Sequence, residues 1–372
     1  MSRCLVVGGG ILGTAHARQA LKLGYEVTQV ERDGRPRSSS ARNFGLVWIS
    51  GRASGDELAA SLRTRELWEE IHHEIPDLHF RSNGSLTIAK NEAELRVMEE
   101  CLRKSDANDR GWEILDSRDT LRRNPVLRGK YLASLWCPLD ATIEPDSALT
   151  ALRAHLLKNE NYSWRPDEDV RGVEEKGTQI VVTTAENEKI ETDLVIVCPG
   201  ADHTSLFKSE LAEAPIRRVR LQMMSTDVFP GKLTTSIADG DSMRYYPAYD
   251  VPALNDLPPQ NSVAAENHMQ LLCVQRVDGS FTIGDTHEYV EPFEFKLRED
   301  VYKYLHEIAS GFFGQKLPPI RNRWEGIYSQ RTDNALCDRN FIGKRIVTVT
   351  GAGGRGNTLA PVIAETTFKE LS

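Results

Sequence analysis

At 372 residues the chain has room for two substantial cores. With 40% hydrophobic and 27% charged residues it has the balance of an ordinary globular protein, not that of a disordered or fibrous one. A formal net charge of −8 argues against a general nucleic-acid binder, and the arginines at Arg217-Arg218-Val219-Arg220 and Arg321-Asn322-Arg323 read first as solvated side chains on a strand or turn. The six cysteines are scattered, without a CxxC pair or metal-ligand spacing, and no apolar run reaches membrane-spanning length. The expectation is a cytoplasmic protein with reduced cysteines, no metal, no membrane or nucleic-acid partner, and room for a homo-oligomer.

The chain opens on a short apolar run, Cys4-Leu-Val-Val, followed at once by Gly8-Gly9-Gly10-Ile11-Leu12-Gly13 and an amphipathic stretch to Leu23. This is strand, tight turn, helix. Gly8 permits the turn, Gly10 lets the backbone approach a pyrophosphate, and Gly13 lets the helix pack close to the strand. The N–H groups around Ile11 and Leu12 then face the phosphates at the helix N-terminus. A second strand, Glu26 to Val30, ends at Glu31 and Arg32. Glu31 can accept hydrogen bonds from both ribose hydroxyls and would repel a 2′-phosphate, which suits the AMP ribose of FAD or NAD. This fingerprint does not separate the two cofactors.

Further along, helical apolar spacing runs from Gly55 to Pro76 (Leu58, Leu62, Leu67, Ile71), from Glu92 to Leu102 and from Asp300 to Phe312. Ile180 to Thr184 and Lys189 to Thr192 predict a hairpin leading into a buried strand, Asp193 to Val197, that ends at Pro199-Gly200. Between Ile216 and Ile320 the pattern is of mixed strands, with candidates at Arg220 to Thr226, Met243 to Ala248, Leu271 to Val277 and Phe281 to Thr286. The chain closes on a strand, Arg345 to Thr350, feeding Gly351-Ala-Gly353-Gly354-Arg355-Gly356-Asn357-Thr358 and a final helix. That is a second glycine-rich helix N-terminus, which a nicotinamide enzyme seldom needs and a flavoprotein uses. The fold expected is α/β with an α+β second part: a Rossmann-type FAD-binding domain (1–50, 145–215 and 320–372) interleaved with a mixed-sheet substrate-binding domain (51–144 and 216–319).

In this order the pieces resemble the glycine oxidase, sarcosine oxidase and D-amino acid oxidase superfamily over essentially the whole chain. The motifs that carry the resemblance are the Gly8 fingerprint with Glu31, the segment Leu135 to Leu149 with its Asp140 and Pro145, Val170 before its hairpin, and Gly351 to Leu359. Ala41 to Trp48, Arg63 to Trp68 and Trp324-Glu-Gly-Ile-Tyr328 are similar to the branch of aminophosphonate oxidoreductases, which would place the reaction in phosphonate catabolism.

The resemblance implies non-covalent FAD and hydride transfer from an amine-bearing carbon to flavin N5, with hydrolysis of the resulting imine. The substrate implied is a small amine with an acidic group, foremost 2-aminoethylphosphonate or its N-alkyl or hydroxy derivatives. Oxygen or another electron acceptor would take the electrons. A glycine, sarcosine or D-amino acid enzyme, or a non-catalytic flavin-binding protein, are the alternatives.

Cofactor contacts are expected from Gly8, Gly10, Ile11, Leu12, Gly13, Glu31, Arg32, Arg42, Asn43, Phe44, Gly45, Val170 (backbone to adenine), Pro199, Gly200, Gly353, Gly354, Arg355, Gly356, Asn357 and Thr358. For the acidic group an arginine is wanted, because its planar fork matches carboxylate or phosphonate oxygens. The family's arginine after Trp-x-Gly-x is here replaced by Tyr328, so Arg331 is the first choice, supported by Arg244 and by Tyr246 of an adjacent tyrosine pair. On a strand only one of Tyr245 and Tyr246 could face the site. His287, beside Gly284-Asp285-Thr286, and Asn43 complete the substrate-side candidates, and Thr282 stands where the sarcosine oxidase branch has its oxygen-activating lysine.

Overall fold

The computed structural model describes residues 1–371, with the side chain of Asp146 excepted. The strand Arg3–Val7 lies at the centre of a six-stranded sheet, paired in parallel to Glu26–Val30 on one side and Leu194–Val197 on the other. The full order is Asp338–Ile342, Ile346–Thr350, Leu194–Val197, Arg3–Val7, Glu26–Val30, Tyr162–Arg165. Its apolar runs are continuous because both faces are covered. On one face Cys4, Val6 and Val27 pack against Ala17 and Ala20 of the Ile11–Lys22 helix and Leu359 and Ile363 of the Gly356–Leu371 helix. On the other, Leu5, Val30, Val195 and Val197 meet Val170, Ile180 and Val182 of a three-stranded antiparallel sheet, which contains the expected hairpin.

An eight-stranded sheet forms the second layer system, ordered Ile320–Arg331, Ile216–Val228, Ser280–Gly284, Leu272–Gln275, Ser236–Ala238, Ser85–Ala89, Ala133–Cys137, Glu113–Asp116. The amphipathic helix Glu299–Phe313 lays Val301, Tyr302, Leu305, Phe312 and Phe313 on one face of it, against Phe229, Ile237, Phe281 and Ile283. The opposite face carries Met223, Ala238, Leu272 and Val274 and packs on Phe44, Leu46 and Trp48. The site described below opens on this side.

Two differences from the expectations matter for that site. The stretch Met243 to Ala248 is not a strand: Ser242–Tyr245 is one helical turn followed by a short 3-10 turn at Pro247–Tyr249. The Asp239 carboxylate accepts hydrogen bonds from Ser242 N and Oγ (both 3.0 Å), and this local capping outweighs the β propensity of the tyrosines. Second, Ile320–Arg331, expected with the FAD-binding segments, pairs along its length with Ile216–Val228. Its C-terminal end still reaches the dinucleotide side, where Arg331 N donates to Gly351 O at 3.0 Å.

Buried Asp140 joins the parts. Its carboxylate accepts from Ile49 N (2.5 Å), Ser50 N (3.0 Å), Ser50 Oγ (2.7 Å) and Ser85 Oγ (2.5 Å), tying the segment after Leu46–Val47 to the eight-stranded sheet.

Candidate active site between two glycine-rich turns

The first turn is built around close approach. Gly8 has φ +109°, and a Cβ there would lie 2.5 Å from Cys198 O; one at Gly13 would lie 2.0 Å from Gly8 O. Glu31 reaches back over the turn, with Oε2 accepting from Gly9 N at 2.7 Å. Ile11 N donates to Ser40 Oγ at 3.0 Å, so the loop before Asn43 covers the helix N-terminus. Leu12, one residue on, is only partly buried and packs at the edge of the helix core. Two residues not foreseen stand beside this turn. Trp164 lies against Gly9, and the Arg153 guanidinium sits 3.8 Å above the Trp164 ring, with its Nε buried and without a partner.

Val170 is buried at the head of its strand, and Pro199-Gly200 follow Leu194–Val197, with Thr350 Oγ1 donating to Gly200 O at 2.7 Å. Arg32 points away to Asp202 at 2.9 Å.

At the second turn Gly353 has φ +64° and Gly353–Arg355 forms a 3-10 turn before the helix that starts at Gly356. Asn357 Nδ2 donates to Leu46 O at 3.0 Å, and Thr358 Oγ1 accepts from Trp48 N at 3.0 Å. Both side chains therefore clamp the Leu46–Val47 strand to the turn. Arg355 and Arg52 share Glu57, at 3.4 and 3.5 Å. Gly45 has φ +72°, and its missing Cβ would strike Ile143 O, while Phe44 lies on Gly284. The Asn43 amide is spent in its own turn, donating to Ser39 O and Ser40 O and accepting from Gly45 N. It shapes the loop, and the residue also lines the cavity described next. Arg42, exposed, donates to Glu325 O.

Between the two turns and the eight-stranded sheet lies a cavity of about 530 Å³, within the range of small-molecule sites. Tyr245 and Tyr246 both line it, because they sit on a helical turn and not on a strand. The Tyr245 ring stacks on His287 (4.2 Å between centroids), and Tyr246 meets Trp48 (5.9 Å) and accepts from Gln270 Nε2 at 3.3 Å. Burial lowers the His287 pKa to about 4, so the ring is neutral at pH 7 and its Nδ1 is positioned to donate to His268 O. Two buried polar atoms of the cavity wall, Trp48 Nε1 and Gln270 Oε1, have no partner among the described residues, while the buried Tyr328 hydroxyl faces that of Tyr245.

The arginines of this wall differ in their partners. Arg331 is held by Asp333 (Oδ2 at 2.5 Å) and Asp338 (Oδ1 at 2.6 Å), and Arg244 by Asp241 at 3.0 Å. Arg217 has no carboxylate partner among the described residues. Its guanidinium lies 4.0 Å over the Tyr289 ring and donates to Gln330 Oε1 at 3.0 and 3.2 Å. Altogether six arginines (42, 52, 217, 244, 331, 355) face four carboxylates (Glu57, Asp241, Asp285, Asp333) around the cavity. By sequence Arg217 is an ordinary solvated arginine; only its place at the start of the long strand brings it inside. Thr282 accepts from half-buried Arg276 at 2.7 Å, and Arg276 also holds the carbonyls of Asn43 and Phe44. His203 bonds Ser329 Oγ at 2.8 Å, half-buried beside the long strand and not on the cavity wall.

The family model described as "FAD dependent oxidoreductase" matches residues 3–369. The chain belongs to that family. Among curated relatives, a D-amino acid dehydrogenase of Helicobacter pylori is 22% identical over 257 residues, covering 55% of this chain and 62% of that protein. Glycine oxidase of Pseudomonas aeruginosa is 23% identical over 224 residues, covering 60% of this chain and 62% of that protein. The matched region thus spans about 62% of these relatives' length. The solved glycine oxidase of Geobacillus kaustophilus shares the fold at a TM-score of 0.78 and 16% identity, covering 100% of this chain and 95% of that one. The expected kinship with the glycine oxidase and D-amino acid oxidase type of flavoprotein and the α/β fold are borne out, and FAD is the cofactor.

The residues present fit it. A carboxylate ends the second strand, two helices of at least twelve residues present their N-termini, and the glycine turns leave backbone exposed where a Cβ would intrude. No helix is long and apolar enough to cross a membrane among the described residues.

Proposed function

We propose that this protein oxidises a small amine bearing an acidic group, with 2-aminoethylphosphonate and its N-alkyl or hydroxy derivatives as the preferred substrates. FAD, when bound, supplies the acceptor for the hydride that leaves the amine-bearing carbon. The observation that carries the reading is Arg217, a cation without a carboxylate partner among the described residues, held by an aromatic face and an amide in a cavity with a surplus of arginines.

Such a guanidinium presents its remaining N–H groups to a substrate anion. Arg331, already matched by two carboxylates, has less to offer and serves to anchor the end of its strand. Tyr328, at the place of the arginine that would grip an α-carboxylate in glycine oxidase-like enzymes, contributes a buried neutral hydroxyl beside that of Tyr245 instead. This moves the anion site away from the α-position and suits the longer reach of an aminoethyl chain. Tyr245, Tyr246, Trp48 and Tyr289 wall off water around the amine carbon, and Gln270 Oε1 can accept from the amine.

Segments 1–50, 145–215 and 320–372 are assigned to FAD binding, and 51–144 and 216–319 to the substrate side, with Ile320–Arg331 bridging them. The six-stranded sheet supports the contacts assigned to Gly8, Gly10, Ile11, Leu12, Gly13, Glu31 and Val170.

Anaerobic titration decides the substrate. Bleaching of the flavin band near ~450 nm by 2-aminoethylphosphonate or its N-methyl derivative, and not by glycine or sarcosine, is the expected result. Bleaching by the amino acids alone would reassign the substrate, and no bleaching by any amine would leave a flavin-binding protein without this activity.

A further inference from the structure

We infer that Asp285 is the carboxylate that holds the substrate's ammonium group and takes its proton before oxidation, an assignment that rests on the amine reading above. Asp285 follows the strand Ser280–Gly284 and stands in the cavity wall, 5% exposed. Its Oδ1 accepts from Gln270 Nε2 at 3.2 Å, and the backbones of the two residues pair reciprocally, Asp285 N to Gln270 O at 2.9 Å and Gln270 N to Asp285 O at 3.2 Å. No donor of the described residues reaches Oδ2, and no Arg, Lys or His among them forms an ion pair with the carboxylate.

The groups that face it come from four elements. Asp239, on the loop after Ser236–Ala238, repels it; Tyr245 and Tyr246 on the helical turn, Tyr289 beyond the strand and Tyr328 on the long strand are neutral hydroxyls coupled to it. Neutral His287 lies two residues on. The cation Arg217 is engaged over the Tyr289 ring and with Gln330, and Arg52 pairs with Glu57 and donates to Trp48 O, its guanidinium 5.9 Å from the Tyr246 ring.

A buried carboxylate without a cation is a costly arrangement that a cationic ligand relieves. Burial foremost, opposed by the Gln270 hydrogen bond and helped by Asp239, pushes its pKa up to about 7. That value suits a general base working near neutral pH.

The chemistry needs such a group. An alkylammonium, with a pKa of roughly 10 by analogy with lysine, has no free electron pair to stabilise the developing iminium. In the proposed step one N–H bond of the ammonium breaks, its electron pair stays on nitrogen, and an O–H bond forms on Asp285. An ion pair becomes a neutral pair, which a low-dielectric cavity favours. Arg217 keeps the acidic end in place while Asp285 and Gln270 hold the nitrogen.

The test uses the FAD-loaded protein and its Asp285→Asn variant, which preserves shape and the acceptor for Gln270; Asp285→Ser is read in the same way should the amide variant not retain FAD. Rapid anaerobic reduction by 2-aminoethylphosphonate is followed from about pH 6 to about pH 10. In parallel, flavin difference spectra report binding of the N,N,N-trimethyl derivative and of its uncharged carbon isostere, 3,3-dimethylbutylphosphonate. The wild type is expected to show a limb rising through an apparent pKa of about 7 and to prefer the trimethyl cation. The variant should lose that limb, fall about 100-fold in reduction rate at neutral pH, and bind cation and isostere alike with FAD content unchanged. An unchanged limb and an unchanged cation preference would overturn the assignment. If no amine reduces the flavin in the wild type, the substrate reading fails by itself, and the two binding measurements still decide Asp285: preference lost in the variant supports it, preference kept overturns it.

Discussion

The turn from Gly8 to Gly13 and the cavity wall around Arg217 and Asp285 both hold a small molecule, but they are built at opposite sequence distances. The turn is local: strand, glycines, helix and the Glu31 carboxylate fall within about thirty residues, and their spacing alone dictates that backbone N–H groups face a phosphate. The wall is assembled from afar. Arg217, Tyr245, Gln270, Asp285 and Tyr328 come from separate strands and turns of the eight-stranded sheet and its connections, and each looks ordinary in its own segment. A site made of backbone geometry leaves a local signature; a site made of convergent side chains leaves none.

The contrast can be broken first at the turn. Gly13→Val puts a side chain where the Cβ alone would lie 2.0 Å from Gly8 O, so the expected outcome is protein that purifies without flavin, if it folds, seen as loss of the visible absorption band. The junction between the two regions is the next most sensitive place. Asp140→Ala strands four donors in a buried space, with an expected loss on the order of 3 kcal/mol by urea denaturation.

At the wall, Arg217→Gln removes a charge-assisted contact worth about 1.5–3 kcal/mol, which raises KM for an acid-bearing amine by about 10- to 150-fold. Arg331→Gln should change KM by less than about threefold, because its cation is matched by Asp333 and Asp338. The reverse ranking would return the anion grip to Arg331.

A further readout is the pH dependence of stability. Burial first lowers His16 and His287 from 6.5 to about 4, so the unfolded chain binds more protons than the folded one in that window, and stability is lost as pH falls through it. Asp285 runs the other way. Burial raises its pKa from 3.8 to about 7, the folded state binds more protons, and stability is lost as pH rises through that range. Thermal melts of Asp285→Asn should therefore gain on the wild type as the pH is raised from about 4 to about 7.

Legibility follows the same division. Gly8, Gly13, Glu31 and the Gly351 to Thr358 turn are readable because positive φ and close backbone approach restrict residue type. Met243 to Ala248 misleads because tyrosines favour strands, while the capping carboxylate that makes the segment helical, Asp239, lies outside the segment. Arg331 and Arg244 are readable as candidate cations, but their carboxylate partners are not, and it is those partners that decide whether a cation is free to bind substrate. Asp285 stands beside His287 in the sequence without any sign that it is buried with no ion-pair partner among the described residues.

The sequence by itself determined the dinucleotide turn, the acidic end of the second strand and the second glycine-rich helix start, because these depend on backbone conformations that few residues adopt and on spacings of a few residues. The tertiary structure alone decided which cavity arginines are left without a carboxylate among the described residues, which of them is held inside by an aromatic ring, which tyrosines share the cavity and which acid is desolvated there. Charge pairing and burial are properties of what surrounds a side chain, and here the surroundings come from strands that lie far apart along the chain.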